Sequence, residues 1–301
     1  LAELWSIFDF LMPQYLFNYH YFQKQYENDI VKNNDEEKTK QLKKLVTPFI
    51  LRRNKKEVLT ELPDKIEQNI ILPFNDEEEK LYVANLAEVN KELQELYDLE
   101  GSDKMQILKL LTRLRQLCLE PRLVYDNIDQ PSSKLKACME LIKTMQENKQ
   151  KVLLFSSFTS VLDLIAEECQ KAGITYYMLT GSTNKEDRRE LVSRFQKDDT
   201  TVFLISLKAG GTGLNLTSAE AVIHFDPWWN VSAQNQATDR AYRIGQKNNV
   251  QVFNLVMKDS VEEKIIELQK RKKELADMFV ENNSGGLSQM SKEDILSLFT
   301  I

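Results

Sequence analysis

Cysteine and histidine are scarce in this chain of 301 residues, which contains three cysteines and two histidines. Zinc sites need several Cys or His ligands at short spacings, whereas Cys118, Cys138 and Cys169 are widely separated. Their odd number also argues against a disulfide framework. We therefore expect no metal site, and we expect reduced cysteines that act as small core residues.

Long apolar runs and an excess of positive charge are also absent. No run approaches the roughly 20 apolar residues that a helix needs to cross a bilayer, and the apolar opening lacks the basic flank of a signal peptide. We therefore expect a cytosolic or nuclear protein with no membrane partner. The net charge is −6 and the pI is near 5.3. Any contact with a nucleic acid must then come from a local basic patch.

The composition that remains is that of a globular protein, with 42% hydrophobic and 29% charged residues. The length suffices for about two domains. Leu1 begins an amphipathic helical pattern without a cap, which suggests a cut inside a larger protein. The polar stretch 28–44 predicts an exposed helical excursion or a flexible connection.

From residue 151 the pattern alternates between short apolar strands and amphipathic helices. Strands are predicted at Val152–Phe155, Ile174–Leu179, Thr201–Ser206, Ala221–Phe225 and Val250–Met257. This alternation predicts an α/β fold with a parallel sheet covered by helices on both faces. Before it, Ile66–Leu72 predicts a strand, and residues 76–119 predict a helical hairpin broken at Gly101-Ser102. The basic residues of that hairpin are interpreted as solvated charges; they are Lys104, Lys109, Arg113 and Arg115.

The stretch Lys208–Asn215 is a glycine-rich turn directly after a predicted strand. The backbone amides of such turns can approach a phosphate closely. It is not a Walker loop, because no Gly-Lys-Ser/Thr sequence follows a four-residue gap. It is not a dinucleotide fingerprint either, because Leu216 stands at the position of the third glycine. On its own, such a loop is more often only a tight strand-to-helix turn.

The stretch Gln234–Gln246 contains several side chains that can donate hydrogen bonds to an anionic ligand. Gln236, Arg240 and Arg243 are spaced by four and three residues, which places them on one face of a predicted helix. Guanidinium groups stay charged and bind two oxygens at once, so both arginines are candidates for neutralising a phosphoryl group in transfer. A solvated face with surface salt bridges is the alternative.

The residues around this stretch add local signals. Asn230 or Ser232 can cap the start of the helix, and Gly245 suits its end. Trp228 and Trp229 are adjacent, so on an extended chain they point in opposite directions. One can then lie in the core while the other forms an exposed stacking surface; partial burial of both is the alternative.

Two capping boxes are predicted, at Thr183–Glu186 and at Ser260–Glu263, each opening an amphipathic helix. The segment Thr180–Thr183 supplies hydroxyls and amides at the first of these helix starts, where a phosphate can bind. An ordinary N-cap is the alternative, and the two roles are compatible.

Five segments, in their order along the chain, resemble the second RecA-like motor lobe of the Swi/Snf family. These proteins are DNA-translocating ATPases of helicase superfamily 2. The segments are Phe155–Phe158, Leu179–Thr183, Ser206–Leu216, Phe225–Asn230 and Gln236–Gln246. The resemblance divides the chain into four parts. Residues 1–65 would be the end of the first lobe with a helical protrusion and a linker, and residues 66–150 the start of the second lobe with a helical insertion. Residues 151–260 would form the core of the second lobe, and residues 261–301 a bracing helix and tail.

The resemblance implies roles for individual residues. Arg240 and Arg243 match arginine fingers that reach ATP held on the first lobe, and Gln236, Gly211 and Gly213 match positions beside the nucleotide. Matching DNA-binding positions are Ser156, Gly181, Ser182, Thr183, Lys208, Ala209, Gly210, Thr212, Trp228 and Trp229. The family often has proline where this chain has Val231, a loss that costs little at a helix start.

The implied activity is that of the carboxy-terminal half of a DNA-dependent ATPase that translocates on double-stranded DNA and remodels DNA–protein complexes. ATP and Mg²⁺ would bind mainly to the first motor lobe, whose Walker and acidic motifs do not occur here, so we expect this chain alone to be inactive. The implied partners are double-stranded DNA, that first lobe and a DNA-bound protein. The short helical insertion favours a cytoplasmic bacterial or archaeal protein.

Two other classes of protein were weighed against the motor. A non-catalytic DNA- or protein-binding scaffold that retains the motor fold remains an alternative. A nucleotide-binding dehydrogenase is disfavoured, because no acidic residue follows the glycine loop as that fold requires.

Overall fold

The structure, a computed structural model of the chain, describes residues 1–33, 35–50, 62–97, 104–210 and 213–279. The chain divides into two compact units. The smaller comprises residues 1–58 and 270–283, and the larger comprises residues 59–269 and 284–301. The predicted break at Gly101-Ser102 and the predicted tail lie outside the described residues.

The described part of the smaller unit is helical. It contains α1 Ala2–Leu11, α2 Tyr19–Phe22, a π-helix at Gln23–Glu27, α3 Asn28–Asn33, α4 Glu36–Val46 and a 3-10 helix at Thr47–Phe49. The helical alternative for stretch 28–44 is thus confirmed. Asp35 caps α4 by accepting hydrogen bonds from the amides of Glu37 and Lys38. Ile30 and Leu42 are buried in a small apolar core, so this stretch is packed rather than fully exposed.

The larger unit is built on one six-stranded sheet in the order β1-β6-β5-β2-β4-β3. The strands are β1 Lys65–Leu72, β2 Val152–Ser156, β3 Tyr176–Leu179, β4 Val202–Ser206, β5 Ala221–His224 and β6 Val250–Met257. All neighbouring pairs are parallel, which confirms the predicted α/β class. Every strand therefore ends at the same edge, which we call the carboxyl edge.

Helices follow the strands in the described part of this unit, and the last of them continues past residue 269 into the smaller unit. They are α5 Asp76–Tyr97, α6 Lys104–Leu119, α7 Ser133–Glu147, α8 Thr159–Lys171, α9 Lys185–Phe195, α10 Leu207–Gly210, α11 Val231–Thr238 and α12 Val261–Phe279, with a 3-10 helix at Pro121–Leu123. The predicted hairpin corresponds to α5 and α6, which pack with the start of α12 around Tyr82, Leu114 and Ile265.

Apolar clusters cover both faces of the sheet. Leu154 and Leu204 pack with α7 and α8 on one face, while their neighbours Leu153 and Phe203 pack with α9 and α11 on the other. This alternation follows from the period of two along a strand. The central strands β2, β4 and β5 are buried throughout, as parallel strands between two helical layers must be.

A buried ion pair joins α7 to the start of α12. Lys134 Nζ lies 2.7 Å from Glu262 Oε1, and the two side chains are 0% and 1% exposed. Glu262 Oε2 also accepts a hydrogen bond from the amide of Met257, at the end of β6. Burial raises the pKa of Glu262, and the nearby Lys134 opposes that rise.

The helix caps differ in detail from the predicted capping boxes. Asn184, rather than Thr183, caps α9 by accepting from the amides of Glu186 and Asp187. Thr183 Oγ1 instead accepts a hydrogen bond from the amide of Thr180, which closes the turn before the helix. Since the Thr183 hydroxyl serves that turn, the helix start shifts by one residue.

The second cap is close to the predicted box. Ser260 Oγ accepts from the amide of Glu262, and the Glu263 carboxylate accepts from the amide of Asp259. The serine and the acidic residue therefore both satisfy amides at this helix start, each one residue away from the predicted partner.

The cysteines are free and buried, as predicted. Burial raises the pKa of Cys169 to about 12, so its thiol stays protonated and unreactive. Among the described residues, no group of His, Cys, Asp and Glu is arranged to hold a metal ion. None of the described helices is both long and apolar enough to cross a membrane.

Candidate functional site

Three neighbouring strands, β2, β4 and β5, deliver the chemistry-bearing segments to the carboxyl edge. Ser156 of β2 pairs in register with Ser206 of β4, and Phe155 pairs with His224 of β5. The chain leaves these strands directly into the residues that the sequence singled out. In parallel α/β sheets, ligands bind at this edge.

Asp226 is the centre of a hydrogen-bond network at this edge. Its Oδ1 accepts from Ser156 Oγ at 2.7 Å and from the amide of Ser157 at 3.0 Å. Its Oδ2 accepts from Ser157 Oγ and, at 2.9 Å, from Arg115 Nη2. Asp226 is 1% exposed. It therefore links the loop after β5 to the loop after β2, and sequence reasoning had assigned it no role.

Arg115 completes this network from α6. Its guanidinium carbon lies 4.9 Å from the ring centroid of Phe158 and 5.4 Å from that of Trp229. Its Nη2 also donates to Ser157 Oγ at 3.0 Å. The interpretation of Arg115 as a solvated charge is wrong, because its side chain is only 8% exposed and pairs with Asp226. A guanidinium between two rings and a carboxylate is held in one orientation.

The predicted helix over Gln234–Gln246 is shorter than expected. It ends at Thr238, so Arg240 and Arg243 do not share a helical face with Gln236. The backbone tightens into a turn here, and the carbonyl of Arg240 accepts a hydrogen bond from the amide of Leu216. This tertiary bond holds the carbonyl next to the glycine-rich turn Lys208–Asn215, which we call the glycine segment.

Of the two predicted signals at the ends of this helix, the N-terminal cap is confirmed and the glycine at the C-terminal end is not. Asn230 caps α11 through the amide of Ala233, which confirms that alternative over Ser232. Gly245 does adopt a positive φ of 101°, but it lies beyond the end of the helix. It therefore serves the turn that follows Arg243 and not the helix terminus.

Two arginines hold the glycine segment by its carbonyl oxygens. Arg240 Nε donates to the carbonyl of Gly210 at 3.1 Å, and Arg188 of α9 donates to the carbonyl of Ala209. Gly210 has no room for a side chain, because a Cβ there would lie 3.0 Å from Cε1 of Phe155. The short helix α10 is thus packed closely against the sheet, and its residue Lys208 is exposed.

This part of the edge is locally cationic. The pKa of Arg240 is lowered by burial first, and then by the nearby charges of Arg243 and Arg188, while Asp239 opposes the change. The guanidiniums of Arg243 and Arg188 therefore both lie close enough to Arg240 to disfavour its charge. In a chain with a net charge of −6, this is the local basic patch that contact with a polyanion requires.

The predicted site residues fall into three groups. Exposed or half-buried positions are Gly181, Ser182, Thr183, Lys208, Gly213, Trp228, Gln236 and Arg243. Buried positions are Ser156, Ala209, Gly210, Trp229 and Arg240. Gly211 and Thr212 lie outside the described residues.

Ser156 does not present its hydroxyl to a ligand, since it is 0% exposed and donates to Asp226. The Ser156 hydroxyl is therefore enclosed in this structure, and its DNA-binding role stays a prediction. Its position at the end of β2 suits it to orienting Asp226.

The adjacent tryptophans do point to different cores. Trp229 is 6% exposed and packs in the cluster of α5 and α6, whereas Trp228 is half-buried against the cluster under α11. Trp229 is thus the core residue of the pair, and its DNA-binding role stays a prediction. Trp228 is left as the partly accessible one, although it is not fully exposed.

Side-chain amides joined by hydrogen bonds lie behind Trp228, and two of them, Gln234 and Asn254, are buried. Gln234 Oε1 accepts from the amide of Trp228 at 3.2 Å, and Gln234 Nε2 donates to Asn254 Oδ1 at 2.9 Å. Asn254 in turn donates to Asn69 on β1 at 2.9 Å. Gln269 of α12 donates to the carbonyl of Trp228. Both polar groups of the Trp228 backbone are therefore held by side chains.

Comparisons with known proteins indicate the family of the chain. The family model described as a helicase conserved C-terminal domain matches residues 133–245, and the model described as an SNF2-related domain matches residues 1–123. An uncharacterized ATP-dependent helicase of Mycoplasma pneumoniae is 38% identical over 99% of this chain and 28% of its own length. The putative ATP-dependent helicase/translocase YwqA of Bacillus subtilis is 36% identical over 100% of this chain and 33% of its own length.

A solved structure is similar over nearly the whole chain. The Sulfolobus solfataricus SWI2/SNF2 ATPase core in complex with dsDNA is 33% identical, with a TM-score of 0.64, over 98% of this chain and 63% of that one. The parallel sheet and its edge define a RecA-like α/β lobe. The chain belongs to the Swi2/Snf2 family of helicase superfamily 2, in which it corresponds to the carboxy-terminal RecA-like lobe. It spans about a third or less of the length of the two bacterial relatives.

Proposed function

We propose that the protein containing this chain is a DNA-dependent ATPase that translocates on double-stranded DNA and remodels DNA–protein complexes. In this proposal the chain supplies an arginine finger and contacts to DNA phosphates. The observation that carries it is the cationic cluster of Arg188, Arg240 and Arg243 around the glycine segment at the carboxyl edge.

Arg243 is the better candidate for the finger that reaches ATP. It is exposed, whereas Arg240 is 8% exposed and donates to the carbonyl of Gly210. A finger must present its fork to the phosphoryl oxygens, where it neutralises the charge that develops during transfer. Arg240 lies beside it and adds positive potential. The exposed Gln236 and Gly213 are proposed to line the same nucleotide-facing surface.

The DNA contacts are proposed for the segments after β3 and β4. Gly181, Ser182 and Lys208 are exposed there, and Arg188 connects the two segments by its bond to Ala209. Backbone amides, hydroxyls and a lysine bind phosphates without reading bases. Buried Ala209 and Gly210 take part through the backbone that the two arginines orient, and Thr183 and Trp228 border this surface.

ATP and Mg²⁺ are proposed to be held mainly by the other motor lobe. The guanidinium of Arg243 fits a triphosphate, which is polyanionic. Acidic ligands for Mg²⁺ are not grouped among the described residues, so no Mg²⁺ contact is assigned to this chain. We expect the chain on its own to show no steady ATP turnover, because it contains no Walker lysine loop.

The test uses the intact protein and measures ATP hydrolysis with and without duplex DNA. We expect DNA to stimulate hydrolysis, and we expect Arg243→Ala to lower kcat by about 10³-fold or more, the range for arginine fingers. Arg194→Ala is a matched control, since Arg194 is an exposed arginine paired with Glu190 on α9. The control variant should keep wild-type turnover.

Turnover that survives Arg243→Ala would contradict the finger assignment. If the intact wild-type protein bound DNA without hydrolysing ATP under any condition, the scaffold alternative would be correct instead. The relatives whose names describe ATP-dependent helicases favour the motor. They also favour a bacterial cytoplasmic setting.

A further inference from the structure

Arg115 lies where three segments of the larger unit meet. It belongs to α6, and it bonds to Ser157 in the loop after β2 and to Asp226 in the loop after β5. Its guanidinium also lies close to the rings of Phe158 and Trp229, one from each loop. One side chain of the helical hairpin thus touches both loops at the carboxyl edge.

This pair is a poor device for stability alone. Withdrawing two charges from water costs several kcal/mol, and a well-packed apolar pair of similar volume is often equally stable. The guanidinium instead supplies geometry, because its Nη2 donates to both Asp226 and Ser157 while the planar group lies close to two rings. Asp226 extends this fixed arrangement to the loop after β2, since it also accepts hydrogen bonds from Ser156 Oγ and the amide of Ser157.

The two loops border the surface proposed to contact DNA. Phe158 immediately precedes the first turn of α8, a helix start without a side-chain cap. Trp229 adjoins Trp228, whose backbone is held by Gln234 and Gln269. A shift of Phe158 relative to Trp229 would therefore move a helix start relative to the Trp228 loop.

We propose that Arg115 is a positioning residue that fixes the loops after β2 and β5 in the arrangement needed to bind duplex DNA. It acts without touching DNA, from inside the molecule. This inference rests on the proposed function, because the DNA-binding role of the edge is argued there.

The test compares Arg115→Lys with the wild type in the intact protein. Lysine keeps the charge on Asp226 paired but lacks the planar fork and the two stacking faces. We expect the Kd for a duplex of fixed length at fixed salt to rise about tenfold, and the DNA concentration for half-maximal ATPase to rise with it. The kcat at saturating DNA and the KM for ATP should change less than about twofold.

Arg122→Lys is the matched control. Arg122 is half-buried and pairs with the buried Glu120, donating to its two oxygens at 3.0 and 3.1 Å, and Glu120 also accepts from the amide of Ser132. That pair bonds neither loop at the carboxyl edge. The control variant should lose a similar amount of thermal stability while its Kd for DNA stays at the wild-type value.

A second variant covers the case in which Arg115→Lys does not fold. Arg115→Gln combined with Asp226→Asn leaves no buried charge unpaired and can retain a neutral hydrogen bond. We expect this double variant to fold and to bind DNA about tenfold more weakly than the wild type.

The outcomes separate the inference from the proposed function. Wild-type DNA affinity in either folded Arg115 variant would overturn the inference, as would equal weakening in Arg122→Lys at equal loss of stability. A wild-type protein that neither binds duplex DNA nor responds to it would instead overturn the proposed function, and the inference would fall with it.

Discussion

At the residue scale, His224 is a buried polar residue at the end of β5, and it is 1% exposed. Its Nε2 lies 2.9 Å from Thr238 Oγ1, and its ring stacks on Phe155. Thr238 Oγ1 itself donates to the carbonyl of Gln234, so Nε2 must be the donor in the histidine bond. Nδ1 is buried with no hydrogen-bond partner. Burial lowers the pKa of His224 to about 4, even though Glu67 and Asp226 favour the charged form.

We predict that His224 makes stability depend on pH. The unfolded histidine has an ordinary pKa near 6.5 and the folded one near 4, so the unfolded state binds more protons between these values. Stability is then lost as pH falls through this window, by about 2 kcal/mol between pH 7 and pH 5. Urea unfolding at both values, with His224→Gln beside the wild type, measures the contribution.

The variant should lose that part of the pH dependence, because glutamine does not titrate and its amide can still reach Thr238. His20→Gln is the control, since His20 is exposed and lies in the smaller unit. An unchanged difference between pH 7 and pH 5 in His224→Gln would contradict a buried neutral imidazole.

At the scale of elements, the buried pair of Lys134 and Glu262 connects α7 to α12. We predict that Lys134→Met destabilises the chain by about 3–5 kcal/mol, because it leaves a carboxylate buried without a counter-charge. Adding Glu262→Gln should recover most of this loss, since the glutamine oxygen still accepts from the amide of Met257. Urea unfolding of the single and double variants measures both effects.

The matched control is Lys171→Met, which breaks the pair with Glu168 on α8. The Lys171 side chain is 63% exposed, so this change should stay within about 0.5 kcal/mol. A double variant no more stable than Lys134→Met would contradict the view that the unpaired charge causes the loss.

The sequence predicted elements well where local periodicity decides them. Strands β2, β4, β5 and β6 were placed to within about one residue, because the central strands are continuous apolar runs that need burial on both faces. The end of α11 was missed for a tertiary reason. The carbonyl of Arg240 is taken by the amide of Leu216, and no local pattern contains that bond.

Arg115 was missed although its sequence carried a signal. Leu111 precedes it by four residues and Cys118 follows it by three, so it lies on the apolar face of α6, and both neighbours are buried. A charge on such a face needs a buried partner. That partner, Asp226, comes from a distant strand end, and only the sheet topology brings it near.

At the scale of the whole molecule, a chain with a net charge of −6 groups Arg188, Arg240 and Arg243 around the segment that follows β4. Binding to DNA through such a patch depends on the release of counterions from phosphates. We predict that the affinity of the intact protein for duplex DNA falls steeply with salt and varies little with base sequence, because backbone contacts carry no sequence information. Titrations of two unrelated duplexes at several salt concentrations measure both properties.

The same titrations test the assignment of one contact. Lys208→Ala should reduce the slope of log K against log salt by about one, because one phosphate contact is removed. Lys171→Ala is its control: this lysine is also exposed, but it lies at the far end of α8, away from the carboxyl edge. Equal slopes for Lys208→Ala and the wild type would remove Lys208 from the DNA surface. Equal loss in both variants would mean that the protein attracts DNA by its overall charge, which a chain of net charge −6 opposes.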